Sequence, residues 1–215
     1  MSIKQKSTSE LRRDIVSGDW VVIATGRARR PHDFLRQRRE SFRQSKKTCP
    51  FENLHANSLS VYSMDEKWWV ETIPNKYPAF DKGVCALFHK KGPYQWGDGL
   101  GFHEVVISRD HDRSIAEMQD PEVELVIRAY QDRYLALAGD TCVEYVSIFH
   151  NHGRLSGATI SHPHSQIVAI PVIPPDVARS IKGSADFFHK NKTCVHCLTL
   201  RYDLKSKERL IYENE

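Results

Sequence analysis

Two histidines stand two residues apart in Ser161-His162-Pro163-His164-Ser165-Gln166, and the apolar run Ile167-Val168-Ala169-Ile170 follows. In extended chain alternate side chains share a face, so His162 and His164 are expected to point the same way. Pro163 fixes its own φ and donates no hydrogen bond, which suits the start or edge of a strand. One ring could hold a metal while the other attacks a substrate, because neutral imidazole serves both purposes near pH 7. A bare H-x-H pair is equally compatible with two structurally satisfied histidines. Its surroundings decide.

Ahead of the pair runs Asn151-His152-Gly153-Arg154-Leu155-Ser156-Gly157-Ala158-Thr159, a glycine- and serine-rich loop after an expected strand. Glycines there let backbone N–H groups approach anionic oxygens closely. Cys49-Pro50-Phe51-Glu52 has the form of half a zinc knuckle with Glu52 in place of the second cysteine, and His55 is near enough to compete. Cys194 and Cys197 have knuckle spacing, but a closed site needs two further ligands and His196 between them is poorly placed. Gly26 to His32 is basic. Solvation accounts for it most simply, and a phosphate clamp of guanidinium forks is the alternative.

The elements that must position these groups follow from pattern. Strands are expected at 19–24, 67–73, 102–108, 143–150 and from the His-Pro-His segment onward. Asp120-Pro121 opens a helix with Asp120 as N-cap and Val123, Val126, Ile127, Tyr130, Tyr134 and Leu137 as its apolar stripe, ended by Gly139. Residues 1–10 read as frayed, 35–48 as a basic flexible linker, and the segment after 176 as a new unit that ends on a strand at 208–212. With 215 residues, 40% hydrophobic and 27% charged, the chain has an ordinary globular composition. A net charge of +4 is too dispersed to argue for nucleic acid and is compatible with an anionic substrate. No apolar run reaches membrane-spanning length and Met1 to Glu10 is not signal-like, so a cytoplasmic location is the default expectation. Five cysteines in such a chain do not read as a disulfide scaffold, and Cys85 and Cys142 are expected to be core thiols.

Taken together, ELRRDIVSGDWVVIATGRARRP, CPFE, IPNKYPAF, the strand ending in Asp110-His111, FHNHGRLSGATISHPHSQ and CVHC resemble the galactose-1-phosphate uridylyltransferase family of the histidine-triad superfamily, over residues 9–215. The resemblance implies an α+β fold: an antiparallel half-barrel sheet with packed helices over residues 1–175, and the beginning of a second, incomplete repeat over 176–215. It implies a nucleotidylyltransferase in which His164 attacks the α-phosphorus of a nucleotide sugar, with Gln166 hydrogen-bonded to the phosphoryl oxygens. His162, Cys49, His111 and Glu52 are implied as ligands of zinc, with Cys194 and Cys197 as the second repeat's counterpart of the Cys49 pair. Asn151, Gly157, Ala158, Thr159 and Ser165 are implied around the phosphates, and Asn75, Lys76 and Tyr77 at the nucleoside. Arg27 and Arg30 are implied to reach the site of a partner subunit, which makes the expected state a homodimer with no nucleic-acid or membrane partner.

Gln166 bears on reaction type. Histidine-triad hydrolases carry a third histidine at this position, and a glutamine cannot do its acid–base work, so transfer to another phosphate is favoured over hydrolysis. The Ser165-Gln166 pairing resembles the ADP-glucose phosphorylase branch. Transfer of UMP between UDP-hexose and hexose 1-phosphate is thus the leading expectation, with an ADP-sugar phosphorylase or a non-catalytic zinc- and nucleotide-binding module as alternatives.

Overall fold

The computed structural model describes residues 9–24, 44–81, 85, 87–153, 156 and 158–213. In chain order these form strands β1 (Ser9–Arg13), β2 (Trp20–Ala24), β3 (Ser60–Met64), β4 (Lys67–Pro74), β5 (Phe88–Lys91), β6 (Tyr94–Gly97) and β7 (Phe102–Ser108). Helix α1 (Asp120–Ala138), strands β8 (Tyr145–Phe149) and β9 (His164–Ile170), and helices α2 (Pro175–Asn191) and α3 (Val195–Ser206) follow. The chain divides into two compact units, residues 40–173 and residues 1–39 with 174–215.

Residues 40–173 are built on a five-stranded antiparallel sheet in the order β3-β4-β7-β9-β8, so the expected α+β class with an antiparallel sheet holds. The β3–β4 turn places Asp65 and Glu66 at φ of 50° and 60°, the left-handed pair that a two-residue hairpin turn needs. Register assigns the faces. Val105 pairs with Gln166 and Ile107 with His164, so these four side chains share one face; Val106 and Ser165 share the other. Helix α1 covers the second face, where Val70, Val106, Val126, Ala129, Leu137, Ile167 and Ala169 form a buried core. Cys49, Phe51, Ile73, Val105 and Ile107 form a smaller buried cluster on the first. Full burial of one such aliphatic side chain contributes about 1.5–3 kcal/mol, so the larger cluster anchors the sheet and the smaller one seats residues 49–51.

Several expectations need correction. The N-cap of α1 is Gln119, closed by a capping box with Glu122, one residue before Asp120. Its buried face is Glu122, Val126, Ala129 and Leu137, whereas Ile127 and Tyr134 are exposed. The true stripe includes Arg133, whose guanidinium forms two bonds, of 2.8 and 2.6 Å, to the buried carboxylate of Glu104. A charged residue on the packing side is invisible to a hydrophobicity count. Cys85 and Cys142 are not core thiols: their Cα atoms are 5.0 Å apart and they form a disulfide, Cys85 exposed and Cys142 half-buried. Both lie in connecting segments between named elements. The strand expected at 208–212 is absent, and α3 ends with Lys207 in a left-handed conformation. Most of the expected linker falls outside the described residues, while Lys46–Thr48 is a short 3-10 turn.

In the other unit β1 pairs antiparallel with β2, and α2 lies with α3. Gly183 of α2 approaches the Val16 carbonyl so closely that no Cβ would fit between them. No helix among the described residues is long and apolar enough to cross a membrane.

Replacing Arg133 by Met leaves Glu104 buried without its cation, which costs about 3–5 kcal/mol. Chemical denaturation is expected to read that loss, with part of it recovered in Arg133→Met combined with Glu104→Gln. A loss below 1 kcal/mol would mean that the pair does not hold α1 to the sheet.

Candidate active site

Three imidazoles meet on one side of the sheet, and backbone carbonyls set which nitrogen each one presents. A carbonyl oxygen can only accept, so each bond fixes a tautomer. His162, fully buried, donates from Nε2 to the Ser108 carbonyl at 2.6 Å, which leaves an unprotonated Nδ1 facing Cys49 and Glu52. His111, also buried, donates from Nε2 to the Gln44 carbonyl at 2.8 Å and turns Nδ1 to Glu52. The segment 44–52 thus supplies both the tether and the ligands, and Gln44 N–H is itself held by Ser161 Oγ at 2.8 Å.

Cys49, Glu52, His111 and His162 each offer one ligand atom, all within 4.8 Å of one another. The cysteine sulfur lies 3.5 Å from His162 Nδ1. Burial pushes the Cys49 thiol up and the His162 imidazolium down, so the site disfavours both a bare thiolate and a protonated ring. One thiolate, one carboxylate and two δ-nitrogens whose far sides are tied to carbonyls are a donor set that fits a divalent metal such as zinc. His55 does not join them. Its Nδ1–H donates to Glu71 Oε2 at 2.9 Å and its backbone N–H to Glu71 Oε1 at 2.7 Å, a fully buried carboxylate that anchors this loop.

His164 is arranged the other way round. Its Nδ1–H donates to the His162 carbonyl at 2.8 Å, so the lone pair sits on Nε2, which has no hydrogen-bond partner among the described residues. The Phe51 ring meets both rings edge-on, with centroids 5.8 Å from His162 and 5.2 Å from His164. A buried, tethered imidazole therefore backs a half-buried one with a free nucleophilic nitrogen.

Gln166 shares the His164 face, with its Oε1 2.8 Å from His103 Nε2. The Ser165 side chain turns to the opposite face, where its hydroxyl meets Tyr130 OH at 2.5 Å and His150 Nδ1 at 2.9 Å. Asn75 is half-buried at the end of β4, its Oδ1 accepting from Tyr77 N–H at 2.9 Å. Lys76 and Tyr77 are exposed, the ammonium 5.5 Å from the Tyr77 ring centroid. Asn151 and Ala158 are half-buried and Thr159 exposed, in the loop that leads into β9. Arg27, Arg30 and Gly157 lie outside the described residues. Cys194 and Cys197 belong to the other unit, both exposed at the start of α3, and are not in the four-ligand group. The Cys197 and then the His196 backbone N–H hold the Cys194 thiol below its usual range.

The profile of the family described as "Galactose-1-phosphate uridyl transferase, N-terminal domain" matches residues 1–174. The chain belongs to this family. An ADP-glucose phosphorylase of Arabidopsis thaliana is 30% identical across 98% of the chain and 61% of its own length. A galactose-1-phosphate uridylyltransferase of Thermotoga maritima is 27% identical across 96% and 60%. Among solved structures, the Arabidopsis thaliana ADP-glucose phosphorylase with bound ADP-glucose superposes with a TM-score of 0.66 at 30% identity, over 86% of this chain and 56% of that one. The chain spans about three fifths of the length of these two relatives.

Burial, then the nearby His164 and His152, hold His150 below the ordinary imidazole pKa. The unfolded chain therefore takes up that proton more readily. The stabilising contribution is whole above about pH 6.5 and is lost as pH falls through the depressed folded value. His150→Gln should flatten the decline in unfolding free energy between about pH 7 and 5. Identical slopes would assign the decline to other groups.

Proposed function

We propose that the chain carries the nucleotidyl-transfer half of a nucleotide-sugar enzyme. In this reading Nε2 of His164 attacks the α-phosphorus. The bond from phosphorus to the bridging oxygen breaks, sugar 1-phosphate leaves, and a nucleotidyl-imidazole remains on the protein. A phosphate oxygen of the acceptor then attacks the same phosphorus and the P–N bond breaks. One site serves both half-reactions, as ping-pong exchange requires. The supporting observation is the Nδ1–H bond to the His162 carbonyl, which keeps the Nε2 lone pair available while the ring stays oriented.

The amide of Gln166 and the loop around Asn151, Gly157, Ala158 and Thr159 supply donors for charge on the phosphoryl oxygens. Gln166 gives up no proton to a leaving group, which favours a phosphate acceptor over water. The Ser165 hydroxyl serves the site from behind, by fixing β9 against Tyr130. Asn75, Lys76 and Tyr77 take the nucleoside end.

Zinc is the proposed metal of Cys49, Glu52, His111 and His162. When bound it would brace the strand entry from behind His162 and would have no contact with phosphorus. Cys194 and Cys197 are proposed as the beginning of a second repeat over residues 176–215. Arg27 and Arg30 are proposed to complete the site of a partner subunit in a cytoplasmic homodimer.

Exchange of UMP between UDP-hexose and hexose 1-phosphate is the primary reading. An ADP-sugar phosphorylase is the second, favoured by the Arabidopsis thaliana relative and by Ser165-Gln166.

Intact-protein mass after incubation with UDP-glucose, and separately with ADP-glucose, should rise by one nucleotidyl group and name the base. His164→Ala should acquire no label and keep its unfolding midpoint; a labelled His164→Ala protein would overturn the nucleophile. His162→Ala should lose most of its bound zinc, measured by elemental analysis, and about 1–3 kcal/mol of stability as a buried tethered ring disappears. Unchanged zinc content would remove His162 from the ligand set.

A further inference from the structure

The sheet face that carries His164 and Gln166 carries another imidazole, on β7. We propose that His103 is a positioning residue that decides which end of the Gln166 amide faces the substrate; the proposal rests on the nucleotidyl-transfer reading. The backbone N–H of Ala79 donates to His103 Nδ1 at 3.0 Å. A backbone N–H can only donate, so Nδ1 holds the lone pair and the ring's proton is on Nε2. That N–H points at Gln166 Oε1, 2.8 Å away. With its oxygen engaged, Gln166 has only its –NH2 end left for the phosphoryl oxygens, and these need a donor.

Asn75 sharpens the point. Its Oδ1 is taken by Tyr77 N–H at 2.9 Å, which turns its Nδ2 toward His103 Nε2 at 3.1 Å. Two donors face each other there, so the Asn75 amide hydrogens find no acceptor in the ring and stay available to a ligand oxygen. The backbone N–H of Asn75 also donates to the His103 carbonyl at 2.8 Å, which ties the two segments at main-chain level. Ala79, two residues past the Asn75-Lys76-Tyr77 segment proposed for the nucleoside, therefore sets the His103 ring, and the ring sets the amide beside the proposed nucleophile. Without it Gln166 can rotate and turn its carbonyl oxygen toward an anionic phosphoryl oxygen, which repels.

The test is a double-mutant cycle on the rate of covalent nucleotidylation at saturating nucleotide sugar. His103→Ala should slow the step roughly 10- to 100-fold, somewhat less than the loss of a donor that touches the transition state directly, with KM changed less than about threefold. In a Gln166→Ala background the same change should cost nothing further. His103→Gln, which can accept from Ala79 and donate to Gln166, should recover part of the rate. Equal losses in both backgrounds, or a His103→Ala protein at wild-type rate, would overturn the proposal. The ring can be read without turnover. Nitrogen-15 NMR of the histidines should find His103 protonated at Nε2 and bare at Nδ1, and the opposite tautomer would overturn the proposal. Should the wild-type protein take up no nucleotide, the transfer reading falls and the tautomer alone decides the role of His103.

Discussion

Backbone carbonyls decide what each imidazole of this site can do. Ser108 takes the Nε2 proton of His162, Gln44 that of His111, and His162 itself takes the Nδ1 proton of His164. Two rings thereby turn their δ-nitrogens to the Cys49–Glu52 cluster and the third keeps its ε-nitrogen lone pair, although all three are the same residue type; the proposed ligand and nucleophile roles rest on that difference. The same strand entry serves both ends, because His162, whose ring lies in the four-residue cluster, also supplies the carbonyl that orients the His164 ring. Anything that shifts β9 along β7 moves both rings together.

The rest of residues 40–173 acts to keep that register. The α1 face is closed by an aliphatic core and by the Arg133–Glu104 pair, while residues 49–51 close part of the other face over Ile73, Val105 and Ile107. Such packing makes a one-residue slip expensive, since it would send His164 and Gln166 to the helix side. Ser165 already lies there, bonded to Tyr130 and His150, and acts as a peg through the sheet.

Much of this was legible in the chain. The strand after His-Pro-His was readable from its apolar run, whereas Ser165, expected around the phosphates, turns its hydroxyl to Tyr130 and His150 on the face opposite His164 and Gln166. Cys49, Glu52, His111 and His162 were grouped by the family resemblance alone, and the fold brings one ligand atom of each within 4.8 Å of the others. What the chain concealed were interactions across it. Ser108 and Gln44 act through main-chain oxygens, which carry no side-chain signature. His103 sits on an alternating strand, but its bearing on Gln166 depends on the β7–β9 register, which no local pattern specifies. His55 looked like a rival metal ligand and is instead claimed by Glu71, a buried carboxylate in a strand whose apolar character hid it. The stripe of α1 was misjudged for a related reason: Arg133 packs as a neutralised ion, and Ile127 and Tyr134 are left outside.

In the proposed reaction one nitrogen of one ring becomes bonded to phosphorus. Trapping the labelled protein, digesting it under alkaline conditions that preserve phosphoramidates, and mapping the adduct by mass spectrometry and phosphorus-31 NMR would test it directly. The structure predicts a single adduct, on Nε2 of His164. An adduct on Nδ1, or on any other residue, would contradict the tautomer from which the chemistry is derived.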